Sequence, residues 1–169
     1  MKRAMCALLA AAALAGVAGD ILAATATVEF VKPDGFTDVG RRHSFIDRDA
    51  ALEAIRAHLV AQAAKKLPGD ESLAISITDV DLAGAFEPRQ SYSNEVRIVK
   101  EIYPPKIDLR FKLTRADGSV VKEGERTLRD FGFLTGTTAY ATDNFRYEKA
   151  MLDAWLDAEF GGARRAASR

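Results

Sequence analysis

Between Ile107 and Leu113 the apolar residues fall on alternate positions, Ile107, Leu109, Phe111 and Leu113, with Asp108, Arg110 and Lys112 between them. A pleated strand sends successive side chains to opposite faces, so this run has one oily side and one charged side. Asp117-Gly118 predicts a reversal, because glycine takes positive φ freely and aspartate tolerates it, and a second strand then returns towards Leu128. Pro104-Pro105 lacks two backbone donors and marks where the first strand begins. A two-stranded hairpin is not stable alone in water, so the rest of the chain must supply a cover for its oily side.

Two stretches have the period to do so. From Asp49 to about Leu67 the residues Leu52, Ile55, Leu59 and Ala63 share one helical stripe, with Asp47 or Asp49 as cap and Pro68-Gly69 as stop. From about Asn144 to Phe160 the stripe is Phe145, Glu148, Met151, Leu152, Trp155 and Leu156, capped by Thr142 or Asp143. Gly161-Gly162 is expected to end this second helix, and Lys149 and Asp153 to pair on its wet side. Strands are predicted at Thr27 to Val31 and Leu73 to Leu82, with a short extended segment at Val96 to Val99. The strand from Leu73 contains a conflict, because Leu73, Ile75 and Ile77 lie on one face whereas Val80 and Leu82 lie on the other. A bulge or a strand break is therefore expected near Ile77 to Asp79; a β-bulge returns the apolar residues to one side and turns Asp79 and Asp81 outward. The expected fold is α+β: a two-layer sandwich, a mostly antiparallel sheet of about four strands with two helices on one face.

At 169 residues the chain is long enough for one domain with a real core. Its beginning is of another kind. Met1-Lys2-Arg3 is basic, Ala4 to Gly19 is an unbroken run of small and apolar residues, and Ala24-Thr25-Ala26 offers the small side chains a signal peptidase needs. This predicts a secretory signal peptide over residues 1–26, a domain over 27–160 and a disordered tail over 161–169, with cleavage after Ala26 or, second, after Ala24. No transmembrane segment is then expected in the mature chain, and the protein is placed in the periplasm. Cys6, the only cysteine, lies in the removed segment. Without residues 1–26 the 24 basic and 24 acidic residues become 22 and 23, a net charge near −1, so no bias towards nucleic acid remains.

The segments Val28-Glu29-Phe30-Val31, Phe36-Thr37-Asp38, Ile77 to Gly84, Glu87-Pro88, Ile102 to Leu109, Gly124-Glu125, Leu128-Arg129-Asp130 and Tyr147-Glu148-Lys149, with Leu152 and Trp155, carry a resemblance. The chain resembles the small secreted proteins of Gram-negative bacteria catalogued as domain of unknown function 3016. The resemblance implies a secreted envelope protein and brings no activity or catalytic residue with it.

Candidate binding residues are therefore argued from chemistry. Asp79 and Asp81, two apart on a strand, could hold a hard cation, but they offer only two of the oxygen donors that Ca²⁺ requires. Asp108 and Arg110, with Lys112, could meet a partner, although charge on the wet side of an antiparallel sheet is ordinary. The Tyr103-Pro104-Pro105 turn could join Asp79 and Asp81 in one small-ligand or cation site. Arg129-Asp130 could pair to hold the last loop. His43 and His58 are the only histidines, His58 expected half-exposed, and no nucleophile or zinc motif accompanies them. Tyr92, Tyr103, Tyr140 and Trp155 could line a carbohydrate site, but Trp155 has core spacing. The function expected is a non-enzymatic accessory module, without cofactor, that meets a partner in the envelope. The alternatives are a small-ligand or divalent-cation binding protein, or a hydrolase with an unfamiliar site.

Overall fold

The computed structural model describes residues 24–39, 47–87, 97–136 and 140–167, with side chains described as far as Gly161. The elements run β1 (Thr25–Phe30), α1 (Arg48–Lys66), β2 (Glu71–Asp81), β3 (Ala85–Phe86), β4 (Arg97–Ile98), β5 (Lys106–Arg115), β6 (Val120–Arg129) and α2 (Arg146–Ala167). The main sheet has the order β1-β2-β5-β6, with β1 parallel to β2 and the other pairs antiparallel; β3 and β4 form a separate two-stranded sheet. Both helices cover one face, so the fold is the α+β sandwich that the two periods require.

The hairpin is formed by β5 and β6, and Gly118 in its turn has φ +82°. Ile107, Leu109, Phe111 and Leu113 are all buried, as are Leu73, Ile75 and Ile77 beside them on β2. The register then shifts between Ile77 and Asp79, where Thr78 and Asp79 together oppose Asp108. That bulge carries Val80 and Leu82 into the core and leaves Asp79 and Asp81 on the outer side. From the helices, Ile55 and Leu59 of α1 meet Met151, Leu152, Trp155 and Leu156 of α2 over this surface. Phe111, Trp155 and Phe160 pack edge to face, with centroids 5.6–5.8 Å apart.

Asp47 caps α1 by accepting from the Asp49 and Ala50 N–H groups. The first strand begins at Thr25, not Thr27, with Thr25 opposite Ser72 and Ala26 opposite Leu73. Helix α2 also departs from expectation, continuing through Gly161 and Gly162 to Ala167. Two glycines cost helix stability but do not forbid it, and the following Ala and Arg residues favour continuation. Lys149 does not pair with Asp153: it pairs with Asp143, before the helix, while Asp153 accepts from Tyr140 Oη at 2.6 Å and bonds His58 Nε2 at 2.9 Å. His58 is therefore buried, at 8% exposure, in the seam between the helices.

Candidate functional site

Chemistry concentrates at the end of the sheet where β2 finishes, β5 begins and α2 starts. The bulge aims Asp79 at the loop after β1. Its Oδ1 accepts from the Thr37 backbone N–H at 2.7 Å, and its Oδ2 accepts from the Thr37 hydroxyl at 2.8 Å. Lys106 Nζ, 3.4 Å from Asp79 Oδ2, also donates to Asp108 Oδ2 at 2.6 Å. Burial pushes the Asp79 carboxyl up, but the two Thr37 donors and Lys106 outweigh it and hold the group below the ordinary aspartate range. Asp79 is a latch for the loop that carries buried Phe36 and Val39.

Asp81, two residues on, has the opposite environment. Burial first, and then the charges of Asp38 and Asp79, push its carboxyl up against the attraction of Arg97 and Lys106. No hydrogen bond or ion pair reaches it from any described residue. Asp79 and Asp81 thus do not converge on one point, and Asp79's oxygens are already engaged. Among the described residues no three His, Cys, Asp or Glu side chains group as a metal site requires. Tyr103 does come close to Asp81: both border a groove of about 240 Å³ with Gly84, Ile102 and Phe131. The Tyr103 hydroxyl is tied to Glu87 Oε1 at 3.1 Å.

Asp108 and Arg110 lie on the open face; Asp108 gives Oδ2 to Lys106 while its buried Oδ1 has no hydrogen-bond partner among the described residues, and Arg110 is occupied. Arg110 Nε donates to Glu125 Oε1 across the hairpin at 2.7 Å, and Lys112 stands 3.8 Å from Glu123. Such paired, exposed charges are the usual dress of a wet sheet face. Arg129 and Asp130 do not pair with each other: Arg129 lies 5.7 Å over the Phe131 ring, and Asp130 accepts from the Gly132 N–H. His43 and Tyr92 fall outside the described residues.

Two residues not singled out in the sequence organise this end. Arg97 reaches across from β4 and donates to the carbonyls of Leu82 at 2.5 Å, Ala83 at 2.6 Å and Gly84 at 2.6 Å, while pairing with Asp38 at 2.5 Å. Glu148, in the first turn of α2, is 2% exposed and accepts from the Ala83 N–H at 2.8 Å. Burial pushes its carboxyl up, and the Ala83 N–H offsets only part of that rise. The signal for Glu148 was present as an acid inside an apolar stripe. Arg97 had none, because its partners are backbone carbonyls of a distant segment.

Behind this strap lies a pocket of about 460 Å³. Asp47 and Ala50 of the α1 start, Leu82 and Ala83, Arg97 and Val99, and the run Asn144 to Glu148 line it. Most of its exposed wall is apolar, while Asp47, Arg97, Asn144, Arg146 and Glu148 bring polar groups to it, a mixture that suits a small molecule.

A family model described as Protein of unknown function (DUF3016) matches residues 24–158. Among solved structures, the crystal structure of a Xanthomonas campestris protein assigned to the family model DUF330 is similar at 14% identity. The match covers 86% of this chain and 87% of that chain, with a TM-score of 0.39. No curated protein matches the sequence.

Proposed function

The chain belongs to the DUF3016 family, whose description assigns no activity, and we propose from its own residues that it is an exported, non-enzymatic binding module of the cell envelope. Its ligand is a small, largely apolar molecule held in the pocket beside Glu148. The observation that carries this reading is the pocket itself. Its volume of about 460 Å³ lies within the range of ordinary ligand sites, and Glu148 and Arg97 are held in place at its wall by backbone hydrogen bonds. Of the charged groups in its lining, Asp47, Arg97 and Glu148 are each engaged with backbone groups of the chain, which favours holding a molecule over transforming it. Among the described residues no helix is long and apolar enough to cross a membrane.

The exported address rests on the basic start and apolar run of residues 1–19. Cleavage after Ala24 suits the fold better than cleavage after Ala26, which would remove Thr25 and Ala26 from the ladder with Ser72 and Leu73. N-terminal sequencing of the protein recovered from the periplasmic fraction tests both points. The ligand is tested by native mass spectrometry of that protein beside an Ala50→Trp variant. Ala50 is an exposed position at the pocket mouth, so the indole blocks entry without disturbing the core. A co-purifying small molecule present in the wild type and lost in the variant supports the reading. A bare wild type that also shows no Ala50-dependent thermal shift with a panel of small amphiphiles overturns it.

A further inference from the structure

The groove on the other side of the Leu82–Gly84 segment has its own chemistry, independent of the pocket. Ile102 and Phe131 stand at its rim at 71% and 70% exposure, among the most exposed large apolar side chains described. They come from two different loops, so the rim is assembled by the fold and is not a single stray side chain. On the groove wall lies the Asp81 carboxylate, half-buried and without a hydrogen-bonding or ion-pair partner among the described residues. Its neighbours are Asp38 and Asp79, already engaged by Arg97 and by Thr37 and Lys106 respectively. Arg97 and Lys106 thus direct their bonds elsewhere and temper Asp81 only at a distance.

A partly desolvated anion with no partner among the described residues, beside an aromatic ring and under an apolar rim, fits one kind of guest: a cation on an apolar stem. We propose that this groove receives a lysine or arginine side chain of a partner polypeptide, its cation on Asp81 and its methylene stem between Ile102 and Phe131. Arg129 shows within the chain that the Phe131 ring accepts a guanidinium, at 5.7 Å. A volume of about 240 Å³ suits one such side chain and not a larger body. Gly84 keeps the wall close, since a Cβ there would stand 2.7 Å from the Ile98 carbonyl oxygen.

The test is an amide-resolved NMR titration of the purified protein with hexapeptides Gly-Ser-Gly-X-Gly-Ser, where X is lysine, arginine, norleucine or glutamate. Free butylammonium serves as the small-molecule arm. Lysine and arginine peptides are expected to shift the amides of Asp81, Gly84, Tyr103 and Phe131 in a saturable way, with norleucine and glutamate peptides inert. Asp81→Asn keeps the shape and should weaken binding at least about tenfold. Phe131→Ser, at an exposed rim position that does not threaten folding, should weaken it as well. Arg129→Gln removes a competing cation and should tighten it. Equal shifts from the norleucine peptide would reduce the groove to a sticky apolar rim and overturn the proposal. So would Asp81→Asn binding as the wild type does, butylammonium matching the lysine peptide, or no shifts at millimolar peptide. None of these outcomes touches the Ala50-dependent pocket.

Discussion

Replacing Asp79 by alanine separates a structural latch from a cation ligand. The carboxylate receives two short bonds from Thr37, at 2.7 and 2.8 Å, and is 19% exposed. A hydrogen bond to a charged group contributes about 1.5–3 kcal/mol net, with the lower end apt here because Thr37 is exposed and its donors regain water. Lys106 keeps Asp108 at 2.6 Å and is not orphaned. The two Thr37 bonds are not additive, so Asp79→Ala should cost about 2 kcal/mol at neutral pH, and Asp79→Asn, which retains one acceptor, about half that. The sign of the pH dependence follows from the lowered carboxyl: its contribution is present above the ordinary aspartate value of 3.8 and is lost as pH falls through the depressed folded value. Urea unfolding followed by Trp155 fluorescence, from neutral pH to below 3.8, should therefore show the wild-type and variant curves converging on acidification. A cost under about 0.5 kcal/mol, or a gap that widens on acidification, refutes the latch. Stabilisation of the wild type, and not of the variant, by millimolar Ca²⁺ would restore the cation reading.

Other perturbations read other parts of the molecule. Glu148→Gln keeps an acceptor for the Ala83 N–H and removes a carboxyl that burial holds above its ordinary value of 4.5; the wild type loses stability as pH rises through that raised value, so the variant should be the more stable at neutral pH by thermal melting. Gly84→Ala meets φ +85° and the Ile98 carbonyl, and should cost roughly 1–3 kcal/mol in a denaturant titration. Burial holds the His58 imidazole below its ordinary 6.5 despite Asp153, so the wild type should lose stability as pH falls below that value, and His58→Gln should flatten the slope. A variant with the wild-type slope would place the titration elsewhere.

What the sequence made legible is what periodicity encodes. Ile107 to Leu113 announced the hairpin, and the phase change between Ile77 and Val80 announced a bulge or a break, because an unbroken period of two cannot bury both halves of β2; the fold takes the bulge. Asp79, Asp81 and Tyr103 read as one candidate site in the sequence; the fold puts Asp81 and Tyr103 on one groove and turns Asp79 to Thr37. Arg97 was invisible because an arginine that binds three carbonyls leaves no pattern around itself. His58 was misjudged for a related reason: its burial comes from Asp153 and Tyr140, brought to it by another helix. Gly161-Gly162 misled because local stop signals yield to favourable residues on both sides.

The segment from Leu82 to Gly84 is a partition with a chamber on each side, held by Arg97 from one edge and Glu148 from the other. Free energy is a function of state, so where the occupants of both chambers distinguish the two positions of the partition, each changes the affinity of the other, and by the same factor in both directions. The stiffness of the Arg97 fork sets the size of that factor. A fork of three carbonyl bonds makes the partition a wall; weakening it to a lysine would make it a diaphragm.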